Sequence, residues 1–159
     1  MGKLACRLSG LRHKLVPDAV WGNIQMREPV LLLLFWMLVL YFDANGWFSL
    51  SLLASFCHES GHVLVYRLLL GKWPRLYIGF TGICLPASGK ALPKGKELWI
   101  TAAGPLTNFI LAGLVLLKMQ RRTTLRRMAW LWANLLLGCF NLLPVPPLDG
   151  WHLLALLFS

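Results

Sequence analysis

Long apolar stretches constrain this chain more than any other feature of its sequence. Residues 29–70 are mostly apolar, with polar clusters at residues 43–46 and 58–62, and this length is sufficient for two membrane-crossing helices of about 20 residues each. Hydrophobic residues make up 57% of the 159-residue chain and charged residues only 14%, whereas about a quarter of the residues in soluble domains are charged. We therefore predict an integral membrane protein.

The second half of the chain predicts two further helices. A third span is expected over residues 98–117, where Gly104-Pro105 should loosen the helix locally. A fourth span begins over residues 129–140, breaks at the prolines of residues 144–147 and resumes over residues 148–158. Because non-helical backbone at membrane depth is tolerated only where it lines a cavity, the break itself marks a candidate site.

Residues 76–84 differ from the helical stretches, since bulky apolar residues alternate in part with glycine and threonine and two residues are aromatic. This pattern is typical of a strand or a hairpin. Such a segment should lie at the membrane interface or in a protein-lined cavity, and its exposed edge could accept another strand. The predicted fold is thus an all-α polytopic membrane protein with about four transmembrane helices, a small interfacial β-strand or hairpin and a proline-broken last helix.

The basic residues predict the orientation of the chain. Sixteen Lys and Arg against six acids give a formal charge of +10, which in a soluble domain would suggest nucleic-acid binding. Here they form clusters between apolar stretches, as in loops that face anionic headgroups, so we expect no nucleic-acid partner. Residues 1–28, 71–97 and 118–127 carry five each and the loop at residues 43–46 carries none. A cytoplasmic amino terminus therefore places ten inside and five outside, and we predict a multi-pass protein of the cell membrane in this orientation.

Residues 1–28 form a basic segment ahead of the apolar core. Basic residues interrupt the apolar region that a signal peptide needs, so we expect this segment to stay attached. Four leucines recur at helical spacing: Leu4, Leu8, Leu11 and Leu15. This spacing is typical of an amphipathic helix on an anionic membrane surface, although a frayed basic tail fits the same residues. We predict a basic cytoplasmic segment over residues 1–28 and a membrane-embedded core over residues 29–159.

The motif HESGH at residues 58–62 carries the strongest chemical signal. On a helix, His58 and His62 lie on one face and can bind one zinc ion, while Glu59 beside them can take a proton from bound water. Three ionisable side chains within an apolar span are costly unless they have a function. The alternative is a set of polar helix-packing residues that bond to one another.

A catalytic zinc ion usually has three protein ligands, so one more is required. Five acids lie outside the motif: Asp18, Glu28, Asp43, Glu97 and Asp149. Only Asp149 lies in an apolar segment broken by prolines, where a carboxylate needs a partner such as a metal ion. The alternative role for Asp149 is a helix cap after the proline turn. The predicted cofactor is one Zn²⁺ per chain.

Two other polar residues are candidates near this site. Asn108 is expected either to bond across helices or to orient part of the site. His152, three residues after Asp149, is expected to lie behind the metal ligands or in solvent rather than to bind the metal.

Three stretches together resemble the site-2 protease family, intramembrane zinc metalloproteases that cleave transmembrane substrates in regulated proteolysis. They are HESGH at residues 58–62, AGPLTN at residues 103–108 and NLLPVPPLDG at residues 141–150, in the family's order on successive helices. Trp151 stands where many relatives have a second glycine, a departure that bears on packing more than on chemistry.

The resemblance implies a role for each site residue. It makes His58, His62 and Asp149 the metal ligands and Glu59 the catalytic acid/base. It places Asn141 near the active site, where it helps to hold substrate. The family's membrane-associated sheet corresponds to residues 76–84.

The predicted function is therefore that of an intramembrane zinc metalloprotease, with Glu59 as general acid/base on zinc-bound water. Its predicted partners are a transmembrane protein or peptide substrate and the lipid bilayer, and the sequence carries no prediction of oligomeric state. The alternative is a non-catalytic binder of membrane segments built on the same fold. A metal transporter would need ligands distributed along a pore, whereas this sequence has one compact cluster.

Overall fold

The computed structural model describes residues 19–21, 24–26, 29–79, 82–84, 92–120 and 122–158. Five helices occur in this part of the chain: α1 (Pro29–Tyr41), α2 (Trp47–Leu70), α3 (Lys94–Met119), α4 (Leu125–Asn141) and α5 (Asp149–Phe158). Four short strands accompany them: β1 (Ala19–Trp21), β2 (Ile24–Met26), β3 (Leu76–Gly79) and β4 (Gly82–Cys84). The prediction of a mainly helical protein with a small sheet is confirmed.

Helix α3, with 26 residues, is the one helix in the described part that is both long and apolar enough to cross a membrane. Helix α1 is apolar but has only 13 residues, fewer than the roughly 20 that a span needs. Helix α2 has 24 residues but contains the polar motif at residues 58–62. The predicted number of about four spans therefore stays a prediction.

Helices α2, α3 and α4 form the core, and small side chains line their contacts. The buried alanines are Ala54, Ala103, Ala112 and Ala129. Small residues at helix contacts are typical of membrane bundles, because they allow the backbones to approach closely. Large apolar side chains instead lie on the outside, and α1 contributes no buried residue. An apolar exterior of this kind is expected where helices contact lipid.

The turn between α1 and α2 is held by Asp43. Its Oδ2 accepts hydrogen bonds from the Ser49 backbone N–H at 2.8 Å and from the Ser49 hydroxyl at 2.7 Å, and its Oδ1 accepts one from the Phe48 N–H at 3.2 Å. These are N–H groups of the first turn of α2, which have no partner within the helix. The predicted tight helical hairpin at residues 43–46 is thus present, with Asp43 as its cap.

The four strands form one sheet in the order β1-β2-β3-β4. The antiparallel β3–β4 hairpin pairs Ile78 with Ile83, which confirms the hairpin predicted over residues 76–84. Strand β2 lies parallel to β3, with Gln25 opposite Tyr77. Strand β2, which precedes α1 in the chain, and strand β3, which follows α2, therefore belong to the same sheet.

Strands β1 and β2 are an addition to the sequence analysis, which predicted no strand over residues 19–26. Local periodicity could not reveal them, because β2 takes its partner from a strand that follows α2. The four leucines between residues 4 and 15 lie outside the described residues.

The predicted proline break is also present. Helix α3 runs through Pro105, whereas α4 ends at Asn141 and α5 begins at Asp149. Gly150 allows this return, since a Cβ there would contact the Leu142 carbonyl oxygen and lie 2.6 Å from that of Leu143. The first turn of α5 can therefore lie directly against the end of α4.

Candidate metal centre

Helices α2 and α5 bring three metal-ligating side chains together. The His58 Nε2 lies 3.1 Å from the His62 Nε2 and 3.1 Å from the Asp149 Oδ2. The His62 Nε2 lies 3.3 Å from the same carboxylate oxygen. The two imidazoles are buried, while the Asp149 side chain is 19% exposed. The two histidines are therefore shielded from solvent, and a small molecule could reach the cluster beside Asp149.

A backbone carbonyl sets the tautomer of the neutral His62 ring. The His62 Nδ1 lies 2.7 Å from the carbonyl oxygen of Ile100 in α3. Because a carbonyl oxygen can only accept, Nδ1 carries the proton and donates it. In the neutral ring the Nε2 lone pair then points to His58 and Asp149. Metal-ligating histidines are usually held in this way through their second nitrogen.

The spacing of the three atoms fits a small tetrahedral cation. Zinc bonds of about 2.0–2.1 Å at tetrahedral angles place ligand atoms about 3.3 Å apart, and the three separations here are 3.1, 3.1 and 3.3 Å. Two neutral imidazoles and a carboxylate present three lone pairs to one point, which is unfavourable without a positive charge. The donor set, two nitrogens and one oxygen, is one that catalytic zinc sites use.

Gly104 of α3 makes room for the imidazoles. A Cβ at this position would contact the His62 Nε2 and lie 2.6 Å from the His58 Nε2. The absence of a side chain thus lets the backbone of α3 pass against both rings. The sequence analysis had noted Gly104 only as a point where the helix could loosen.

Glu59 is not one of the three clustered ligands, but it lies beside them. Its carboxylate is partly buried and interacts electrostatically with His58, His62 and Asp149. It also lines a cavity of about 440 Å³ between α2 and the start of β3. Glu59 therefore lies between the ligand cluster and an open apolar space.

The other candidate residues occupy different surroundings. Asn108 is fully buried, and neither of its polar side-chain atoms has a hydrogen-bond partner among the described residues. Asn141 donates to the Leu137 carbonyl oxygen at 3.0 Å, at the end of α4. His152 is exposed and does not belong to the ligand group. Sequence reasoning missed Asn134, a second fully buried amide, whose only signal is its position within an apolar helix.

Comparison with known proteins relates the whole arrangement to proteases. No protein-family model matches the chain. A zinc metalloprotease of Methanocaldococcus jannaschii is 34% identical over 122 residues, which are 70% of this chain and 34% of that protein. The Bacillus subtilis protein YwhC is 34% identical over 76 residues, 39% of this chain and 35% of its own length. The chain thus spans about a third of the length of the curated relatives that it matches.

A solved structure extends the likeness to the fold. The site-2 protease from Methanocaldococcus jannaschii superposes with a TM-score of 0.63 at 26% identity, covering 90% of this chain and 71% of that one. Fold, clustered ligands and relatives together make the chain similar to zinc metalloproteases. More narrowly, these relatives and the solved structure support the resemblance to the site-2 protease family that the three motifs indicated.

The contact at Gly104 predicts that Gly104→Ala disturbs metal binding. The added methyl group must displace the imidazoles of His58 and His62, so zinc affinity should fall at least about tenfold, as it does when ligand orientation is lost. Gly113→Ala, a substitution on the same helix, is the matched control, because a Cβ at Gly113 has no neighbour within 4 Å. Equal zinc affinity of the two purified variants in a chelator competition assay would contradict the proposed packing.

The cluster also predicts different effects for two neighbouring residues of α5. Asp149→Ala should lower zinc affinity by more than the roughly 10–100-fold that loss of an outer partner costs. His152→Ala should leave most of the metal bound, because His152 is exposed and outside the cluster. Both are measured as bound zinc per purified chain across a chelator series. If Asp149→Ala kept its zinc and lost only thermal stability, Asp149 would be a helix cap.

Proposed function

We propose that this chain is an intramembrane zinc metalloprotease that hydrolyses peptide bonds of transmembrane substrates in regulated intramembrane proteolysis. The observation that carries the proposal is the convergence of His58, His62 and Asp149 at 3.1–3.3 Å within an apolar bundle. Glu59 lies beside this cluster and faces an open cavity. A buried cluster of this kind in a membrane protein is functional by default.

His58, His62 and Asp149 would hold one zinc ion per chain. When bound, zinc polarises the scissile carbonyl and lowers the pKa of a coordinated water molecule. The Ile100 carbonyl would hold the proton of the neutral His62 ring on Nδ1, which leaves the Nε2 lone pair directed at the site. Glu59 would accept a proton from the attacking water and deliver it to the leaving amine, which is general base and then general acid catalysis.

The remaining polar residues would serve the substrate or the ligands. The Asn141 amide nitrogen is taken by the Leu137 carbonyl oxygen, so its Oδ1 is left to accept a hydrogen bond from a substrate backbone. Asn108, one turn along α3 from Gly104, would help to orient the site. His152 would lie outside the ligands, on the exposed side of α5.

The non-helical residues 142–148 supply the polar approach that hydrolysis needs. They precede Asp149, whose side chain is the most exposed of the three ligands. Non-helical backbone within a bilayer is stable where it lines a water-filled cavity. Water would therefore reach the site beside Asp149.

An extended substrate segment would add to an outer strand of the sheet. Strand β3 has partners on both sides, whereas β4 lies at one edge. An edge strand presents unpaired backbone groups that can accept another strand. Among the described strands, β4 is thus the better candidate than β3 for substrate pairing.

The alternative function is a binder that holds membrane segments without cleaving them. It would use the same edge strand and cavity, but it would need neither Glu59 nor a metal. The presence of Glu59 beside a complete set of three ligands supports the enzyme.

Replacing Glu59 distinguishes the two functions. Glu59→Gln keeps the shape and polarity of the side chain but cannot accept a proton, so cleavage should fall by about 10²–10⁴-fold while the zinc content stays unchanged. Glu97→Gln is the matched control, since Glu97 lies in the first turn of α3 outside the cluster. The measurements are product formation in a membrane fraction and metal analysis of each purified variant. Undiminished cleavage by the Glu59 variant would remove this residue from the mechanism.

We further propose an integral protein of the cell membrane with a cytoplasmic amino terminus, in which strands β1 and β2 meet the core through the sheet. The parallel pairing of β2 with β3 supports one part of this topology, because it places both strands at the same end of the α1–α2 pair; the choice of the cytoplasmic side rests on the basic residues. A reporter fused after Gly46 should therefore lie outside the cytoplasm and one near Lys94 inside it. A cytoplasmic reporter at Gly46 would overturn this topology.

A further inference from the structure

The cavity beside Glu59 is a groove along one face of α2. Its apolar lining consists of Phe56, Val63, Leu64, Leu68, Trp73 and Leu76. The α2 residues recur at helical spacing, so they form one continuous strip, and the residues that precede and begin β3 form the opposite wall. The volume of about 440 Å³ lies in the range of sites that accept a ligand or several side chains.

Two charged residues also line this apolar groove, Glu59 and Arg67. They are eight positions apart on α2, which at 1.5 Å per residue places them about 12 Å apart along the helix axis. A surface that only contacts lipid has no use for either charge, because charged side chains in membrane segments face cavities or substrate paths. The groove therefore has a catalytic end at Glu59 and a cationic end at Arg67.

The guanidinium of Arg67 is held in place but keeps its charge available. It stacks on Trp73, with its Cζ 3.9 Å from the ring centroid. Within the described part of the chain, no carboxylate forms an ion pair with Arg67. Stacking on an aromatic face leaves the N–H groups at the guanidinium edge free to bind a carboxylate.

We propose that this groove binds one flank of the substrate and that Arg67 selects a substrate carboxylate at its far end. The inference rests on the proposed function, because Glu59 then marks the position of the scissile bond. An extended chain advances about 3.3 Å per residue, so about four residues span the 12 Å between the two charges. The preferred substrate would have apolar residues beside the scissile bond and an Asp or Glu about four positions away.

The same groove favours a peptide carboxylate over a lipid phosphate as the partner of Arg67. A lipid headgroup would account for Arg67 alone, near the end of α2. It would not account for the presence of Glu59 in the same cavity. A peptide that reaches the catalytic end accounts for both charges.

Peptide binding to the full chain with Glu59→Gln, which blocks turnover, tests the inference. The probes are fluorescent Leu/Ala peptides of about 20 residues, long enough to span a bilayer. Each carries one Asp, moved by one position at a time, and each has a matched Lys peptide. In an uncharged detergent, the best Asp peptide should bind at least about tenfold more tightly than its Lys counterpart. The preference should be confined to a narrow range of positions, because the groove fixes the distance.

Charge reversal supplies the decisive comparison. Arg67→Glu should invert the preference, so that Lys peptides bind more tightly, and Arg67→Lys should retain a weaker preference for Asp. The matched control is Arg126→Glu, the same change at an exposed residue of the α3–α4 side of the molecule. An equal inversion by both variants would indicate a general charge effect and overturn the proposal. Equal affinities across the series, including an absence of measurable binding, would also overturn it.

The outcome separates this inference from the proposed function. Cleavage without a preference for the position of the peptide charge would support the protease function and contradict the proposed role of Arg67. The second outcome is a preference for Asp peptides that depends on Arg67, in a wild-type chain that binds zinc but never cleaves. This outcome would support the groove and contradict the proposed protease function. If Arg67→Glu instead changed only the retention of phosphatidylglycerol added to the detergent, Arg67 would bind lipid and the proposal would be wrong.

Discussion

The close approach of α2 and α3 is the contact on which the rest of the structure depends. Two imidazoles from α2 lie against Gly104 of α3, and the Ile100 carbonyl one turn away fixes the proton of His62. A side chain at Gly104 would separate the helices or displace the rings. The small buried alanines of the core serve the same end, because they allow the helices to pack closely without large interlocking side chains.

Helix α2 presents two different faces to its surroundings. One face directs His58 and His62 towards α3, where they are almost fully buried. The next face carries the groove that extends from Glu59 to Arg67. Because Glu59 directly follows His58 in the chain, a single residue step of about 100° connects the metal centre to the groove. In the proposed function, substrate binding and catalysis would thus share one rigid helix, which would fix the distance between the two sites.

Much of this arrangement could be predicted from the sequence. Helical spacing indicated that His58 and His62 share a face, and the proline-rich break singled out Asp149 among the acids. These signals are local, since each lies within a few residues. The parallel pairing of β2 with β3 is non-local, and neither strand carries a mark of its partner. The approach of Gly104 to the imidazoles is equally invisible, because a glycine in a helix does not reveal what occupies the space beside it. The stacking of Arg67 on Trp73 depends on how the chain turns after Gly71.

The short helix α5 has no fully buried apolar side chain to anchor it. Gly150 is its one buried residue, so its first turn is held by the close contact with the end of α4 and by the position of Asp149 among the imidazoles. Any cation bound by the cluster would therefore stabilise the docked position of α5 as well as the site. At a free concentration one hundred times its dissociation constant, such a ligand contributes about 2.7 kcal/mol to the state that binds it. Cation binding at the cluster and docking of α5 against α4 would thus be coupled. Removal of the cation by a chelator would weaken the docking of α5 as well as empty the site.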